Sequence, residues 1–156
     1  MTEPRLKEID YIRDDLAITS IAGVRENDTS DFDKVLSVCQ DMARDNVGTE
    51  YTCVKLADDI RSKQRWGGTT EYAAFERAAD RVLGSLLTYD ESILVHCHSG
   101  QNRSAAVCTA ALGVAEKVFY IDAGEMVYEA RPVININQLM AAHARRYIDE
   151  KKPRST

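Results

Sequence analysis

The 156-residue sequence contains no linker, internal repeat or low-complexity tract, so no second module is expected beside its main domain. No apolar run reaches the roughly 20 residues that a membrane-spanning helix needs, and the N-terminal stretch lacks the apolar core of a secretion signal. Residue 2 is threonine, where N-myristoylation requires glycine. Positive charge is in short supply. Twenty Lys and Arg against 25 Asp and Glu leave a net charge of −5, which removes any general attraction to nucleic acid or to anionic membranes. Neither is expected as a partner, and any pull on a phosphorylated ligand has to be local. Histidine is scarcer still, with three in the chain. His96 and His98 flank a cysteine, but only His143 remains to join them, short of the four spaced ligands of a structural zinc site, so no metal is expected. The four cysteines fall largely in apolar runs, which suits a reducing compartment and leads us to expect a cytoplasmic protein. A 44% share of hydrophobic residues still fills a proper core, expected to occupy residues 1–150 and to be followed by a short basic tail, 151–156.

Against this background one segment stands out: Val95-His96-Cys97-His98-Ser99-Gly100-Gln101-Asn102-Arg103-Ser104. The apolar run Ser92-Ile93-Leu94-Val95 before it reads as a central strand buried on both faces. After it, Ala105, Ala106, Val107, Cys108, Ala110, Ala111 and Leu112 predict a helix that is apolar nearly all round and therefore buried. A strand, a tight loop and a helix start bring backbone N–H groups and the positive end of the helix dipole to one point. A phosphoryl dianion fits such a point.

The residue types agree with that chemistry. A free thiol titrates near ~8.5, and a helix N-terminus with nearby N–H or cationic groups lowers it to roughly 3.5–7.5, so Cys97 is expected as a thiolate nucleophile. Arg103 offers a planar fork able to hold two phosphoryl oxygens, which a lysine cannot do. Gly100 permits a turn with its N–H groups pointing inward, where a Cβ would obstruct. Ser104 can donate to the Cys97 sulfur and improve it as a leaving group. His96 is expected to orient loop carbonyls rather than to act as a base. His98, Ser99, Gly100, Gln101, Asn102 and Arg103 together form the expected phosphate-binding loop.

These residues resemble the His-Cys-x5-Arg-Ser/Thr signature of the cysteine-dependent protein phosphatases, and within them the small atypical dual-specificity phosphatases. The resemblance extends upstream to Val54-Lys55-Leu56-Ala57-Asp58, which is similar to the segment that carries the family's general acid and places that role on Asp58, with Asp59 as a neighbouring rival. Downstream, Ala130-Arg131-Pro132-Val133-Ile134 and Asn137 are similar to the family's closing segment, with Ile136 where proline is common. The likeness runs from about Asp33 to Asp149 and is loose before that. It implies a single-domain α/β fold with a mostly parallel central sheet flanked by helices. It also implies hydrolysis of phosphotyrosine and phosphoserine/threonine on protein substrates: Cys97 attacks phosphorus, and Asp58 first protonates the leaving oxygen and then activates water. No cofactor is implied. The family's RNA 5′-triphosphatase branch often carries asparagine where Asn102 stands, but generally has glycine where Ala105 follows Ser104. Phosphoinositide or small-metabolite hydrolysis on the same loop, and a silent phosphate-binding module, are the remaining alternatives. Absence of lysine in the loop speaks against lipids, and the full set of Cys97, Arg103, Ser104 and Asp58 speaks against silence. Oligomeric state is not legible, and a monomer is the default.

Elsewhere, strands are expected at Leu16–Ile21, Lys34–Gln40, Tyr51–Leu56 and Ser92–His96. Helices are expected after a Thr70 cap, over Arg103–Glu116, over Asp122–Ala130 before Pro132, and over Asn137–Asp149. Cys39 and Cys108 are expected in the core and His143 packed among its neighbours. Cys53, on the strand leading to Asp58, is a candidate disulfide partner for Cys97. Arg61, Lys63, Arg65 and Trp66 read as a basic loop that either overhangs the site or faces water.

Overall fold

In the computed structural model, which describes residues 3–44 and 47–152, two apolar strands lie at the centre: β2 (Leu16–Ser20) and β5 (Ile93–Cys97), every residue of which is buried. Both begin with three apolar residues, Leu16-Ala17-Ile18 and Ile93-Leu94-Val95, because both faces are covered. The strands β1 (Asp10–Arg13), β3 (Lys34–Ser37) and β4 (Glu50–Cys53) complete a five-stranded sheet in the order β1-β2-β5-β3-β4. All neighbours are parallel except the β1–β2 pair.

The helices in chain order are α1 (Glu3–Leu6), α2 (Ile21–Glu26), α3 (Ile60–Trp66), α4 (Tyr72–Leu86), α5 (Arg103–Glu116), α6 (Tyr120–Ala130) and α7 (Gln138–Lys151). Side-chain alternation along the strands sorts the core into two layers. Leu16, Ile18, Leu36, Ile93, Val95 and Cys97 face α4, α5, α6 and α7, while Ala17, Val35 and Leu94 face α2 and Phe32. Helix α5, buried from Arg103 to Gly113, is the hub of the larger layer. Its small residues, Ala105, Ala106, Ala110 and Ala111, let it sit close to its neighbours. No described helix is long and apolar enough to cross a membrane.

Several boundaries differ from the sequence expectation, each for a local reason. Strand β2 stops at Ser20 because its side chain accepts from Gly23 N at 3.0 Å and caps α2, which the periodicity had not revealed. Strand β3 ends at Ser37, whose hydroxyl donates to Asp41 O at 2.7 Å as the chain curls away. Cys39 is therefore in a loop and not in a strand. Strand β4 covers 50–53 only, and β1 was not expected at all. Glu71, not Thr70, is the N-cap of α4, and its side chain makes no capping bond; Thr69 Oγ1 takes the Glu71 N–H instead. Asn137 caps α7 by accepting from Met140 N at 2.9 Å, and the helix runs on through Lys151. Lys151 thus belongs to the domain, bound to Glu76 and Asp80, rather than to a tail. The rest of the expected tail, 153–156, lies outside the described residues.

Candidate active site

The chain leaves β5 at Cys97, circles through residues 98–102 and enters α5 at Arg103. Every carbonyl of this loop is taken up from outside. Cys97 O meets His96 Nδ1 at 3.1 Å, His98 O accepts from Ile21 N at 3.1 Å, and Gln101 O accepts from Asn135 N at 2.7 Å. Arg131 supplies the other two, donating from Nη2 to Ser99 O at 3.0 Å and from Nε to Gly100 O at 2.8 Å. In a planar trans peptide the N–H points opposite to the C=O, so binding five successive carbonyls on the outside turns the N–H groups of residues 98–102 inward. Gly100 N illustrates the result, donating to Cys97 Sγ at 3.3 Å. Ser104 Oγ is 3.1 Å from the same sulfur. Gly100 has φ +70°, and a Cβ there would lie 2.5 Å from Thr19 O and 2.7 Å from Arg131 Nη2, so only glycine fits.

Arg131 itself is 0% exposed and makes three more bonds, to Leu6 O, Glu8 O and Asp10 Oδ2. It ties the N-terminal segment, the closing segment and the loop into one body. The sequence placed Arg131 only inside a family-like segment, because nothing in composition announces a buried guanidinium. Tyr51 was missed as well. Its hydroxyl accepts from Ala43 N at 2.7 Å and bonds His96 Nε2, so the network assigns His96 the tautomer that donates from Nδ1 to Cys97 O. Burial pushes the pKa of His96 down to about 4, and the Arg25 and Arg103 charges act in the same direction. The ring is neutral at ordinary pH, as suits an orienting group.

Arg103, 5% exposed, is anchored through Nη1 to Gln40 Oε1 and Leu56 O, both at 2.8 Å. Its Nε is 2.9 Å from Asp58 Oδ1 without an aligned hydrogen bond, and no hydrogen bond among the described residues uses Nη2. The Nε–Nη2 edge of the fork is thus the one left for a phosphoryl group. Asp58 is held by two asparagines: Asn102 Nδ2 donates to its Oδ1 at 2.8 Å and Asn137 Nδ2 donates to its backbone carbonyl at 2.9 Å, while Asn102 Oδ1 accepts from Asn137 N and joins the two. Asp59 faces elsewhere. It caps α3 by accepting from Ser62 N at 2.8 Å, and that N–H holds its carboxyl below the usual carboxylate range. Its carboxyl is committed to the helix cap, whereas that of Asp58 stands beside Arg103.

Side chains of Gln101 and Asn102 turn away from the loop's interior, Gln101 to Val133 O and Asn102 to Asp58. Only their backbones can serve a phosphate. Because Asn102 spends its amide in this way, α5 has no side-chain cap and its first N–H groups stay open to an anion. A cleft of about 540 Å³ opens here, lined by Cys39, Gln40, Asp41, Asp58, Ser62 and Trp66 together with His98, Ser99 and Arg103. A wider hollow of about 730 Å³ at the opposite end of the sheet is lined by Asp14, Asp15, Asp31, Asp33, Asp90 and Glu91, whose charge repels phosphate.

Three further expectations need correction or placement. Cys53 cannot bridge to Cys97: it pairs with Ser37 on β3, which pairs in turn with His96 on β5, so two strand spacings, roughly 9–10 Å, intervene where a disulfide spans less than about 7 Å. The basic stretch is helix α3 and not a loop, capped by Asp59 and closed by Gly67 at φ +87°. Cys108 is fully buried, and His143 donates from Nε2 to Thr70 O at 2.8 Å and packs against the rings of Tyr72 and Phe75. Among the described residues no cluster of three His, Cys, Asp or Glu is placed to share a metal ion.

Residues 16–145 match the family profile described as dual specificity phosphatase, catalytic domain. No curated protein matches the sequence. The fold is similar to that of human DUSP28, with a TM-score of 0.73 at 21% identity over 91% of this chain and 93% of that one. It is also similar to a mouse putative dual specificity phosphatase complexed with zinc tungstate, with a TM-score of 0.74 at 22% identity over 94% and 93% of the two chains. A third likeness is to the human tyrosine phosphatase-like serine/threonine/tyrosine-interacting protein, with a TM-score of 0.73 at 19% identity over 92% and 97%.

Proposed function

This chain belongs to the dual specificity phosphatase catalytic-domain family, and from that premise we infer which of its residues carry out the hydrolysis. It is a cysteine-dependent protein phosphatase acting on phosphotyrosine and phosphoserine/threonine monoesters. Cys97 is the nucleophile. The reading rests above all on Cys97 Sγ lying at the focus of the Gly100 N–H and the Ser104 hydroxyl, before the open N-terminus of α5.

The steps follow from the geometry. A phosphoryl dianion enters the ring of inward N–H groups and takes the Nε–Nη2 edge of Arg103 in place of the Asp58 carboxyl, and the same edge meets the charge that spreads over the equatorial oxygens in the transition state. Cys97 Sγ forms a bond to phosphorus as the ester oxygen leaves, and Asp58 gives that oxygen its proton. The resulting carboxylate then takes a proton from water, the water oxygen bonds to phosphorus, and the S–P bond breaks. Ser104 steadies the departing sulfur. The scheme uses only side chains of this protein and asks for no metal or cofactor, and a reducing cytoplasm suits the unpaired thiols. A single chain supplies every group, so a monomer is competent.

The test is Cys97→Ser. Turnover of an aryl phosphate must vanish, while vanadate or phosphate still protects the variant against thermal unfolding. Retained turnover overturns the assignment.

A further inference from the structure

We propose that α3 is a substrate-recognition element: Trp66 packs against the ring of a phosphotyrosine, and the cations beside it receive acidic residues of the same peptide. The proposal rests on the catalytic reading above and narrows it to acidic phosphotyrosine peptides as the preferred substrates.

Trp66, the chain's one tryptophan, is 66% exposed. It is not scattered at random. Ser62 and Trp66 stand one helical turn apart on α3, and both line the cleft that holds Asp58, Ser99 and Arg103. No residue of α3 is buried, so packing into the core does not explain its composition. The helix is instead fastened at its ends, by Asp59 at the start and by Gly67 N to Lys63 O at the finish. One side chain then sets it in register with the phosphate site. Gln40 accepts from Arg103 Nη1 through Oε1 and donates from Nε2 to Gly67 O at 3.1 Å. The residue after Trp66 is thus connected through Gln40 to the guanidinium that faces the phosphate.

A phosphoserine ester ends in a small methylene beside the loop. A phosphotyrosine adds a flat ring that extends up the cleft toward its rim, where the indole presents a matching surface. Charge points the same way. Between Ile60 and Trp66 the helix carries Arg61, Lys63 and Arg65 and no acid, in a chain of net charge −5. All three cations are exposed, and none enters an ion pair among the described residues; Arg65 lies 5.1 Å from the Trp66 ring centroid.

The experiment compares four peptides, phosphotyrosine or phosphoserine in acidic or alanine flanks, on the wild type, Trp66→Ala, Trp66→Phe and the double variant Arg61→Ser/Lys63→Ser, each checked by circular dichroism. Trp66→Ala should raise KM for phosphotyrosine peptides about 2- to 10-fold with kcat nearly constant, and should lower the phosphotyrosine-to-phosphoserine ratio of kcat/KM by the same factor; Trp66→Phe should restore most of it. The double variant should raise KM for the acidic peptides about 2- to 5-fold and flatten its dependence on salt, with a smaller change for alanine flanks. Equal losses on both phosphoamino acids, or none, overturn the role of Trp66. An effect of the double variant that ignores the flanks overturns the role of the cations. A wild type that hydrolyses none of the peptides overturns the catalytic reading itself, an outcome distinct from either.

Discussion

The side-chain amide of Asn102 donates to Asp58 Oδ1 at 2.8 Å, so the residue that precedes the phosphate-binding arginine also holds the carboxyl we infer to be the general acid. Asn137 braces both, through Asn102 Oδ1 and through the Asp58 carbonyl. The asparagine that in sequence hinted at a triphosphatase is here spent on positioning, which removes the reason to favour that branch.

Loosening this brace should expose its purpose. Asn102→Ala is expected to lower kcat/KM about 10-fold or more for a phosphoserine peptide, whose leaving group needs a proton, and much less for an activated aryl phosphate. KM should change little. Steady-state kinetics on the two substrates give the answer, and an equal loss on both would reassign Asn102 to loop geometry alone.

Arg131 is the second test. Its guanidinium pairs with half-buried Asp10, which Arg5 also holds, and satisfies carbonyls at Leu6, Glu8, Ser99 and Gly100, so Arg131→Met leaves several carbonyls without a donor at once. Leaving a buried carbonyl without its donor costs about 1–3 kcal/mol, and urea denaturation should find a loss of at least that order. Arg131→Lys should retain part of the stability yet bind vanadate more weakly than wild type, because one ammonium cannot hold both loop carbonyls outward. A destabilisation below about 1 kcal/mol in Arg131→Met would show that the loop does not depend on it.

His96 links the site to pH. An unfolded histidine titrates near ~6.5, whereas the buried ring resists protonation until about pH 4. Between these values the unfolded state binds the extra proton, so folding stability falls as pH drops from about 6.5 to 4 and is unaffected above. The gap corresponds to about 3 kcal/mol for this group. Urea midpoints measured across that window should slope downward toward acid, and His96→Asn should lower the midpoint at neutral pH while flattening the slope. An unchanged slope would mean that other groups govern acid sensitivity.

The legible part of this protein was the part written in consecutive residues. Ile93–Cys97, the loop and α5 form a contiguous motif whose chemistry and burial both show in the order of residue types. Helix α3 escaped because it buries nothing, so no apolar period marks it. Strand β1 escaped because it is short, half-exposed and antiparallel at the sheet edge. Gln40, Tyr51 and Arg131 reach the site from three separate segments, and a single sequence carries no sign of such convergence. Cys39 lies in the core as expected but in a loop, because β3 ends at Ser37, and Cys53 was misjudged because sheet order puts β3 between β4 and β5.

The last prediction separates Asp58 from its neighbour. Asp58→Asn keeps the shape of the side chain and an oxygen for Asn102 but has no proton to give, so hydrolysis of a phosphoserine peptide should fall by about 10²–10⁴ while an activated aryl phosphate is far less affected. The alkaline limb of kcat/KM should flatten in the same variant. Asp59→Asn is a clean control, because asparagine caps a helix nearly as well as aspartate and α3 should stay formed. It should leave the leaving-group dependence and the pH profile as they are. The measurement is a pH profile for each variant on the two substrate types. The reverse pattern would move the general acid to Asp59, against its commitment to the Ser62 N–H, and no effect from either would mean that the leaving oxygen takes its proton from another source.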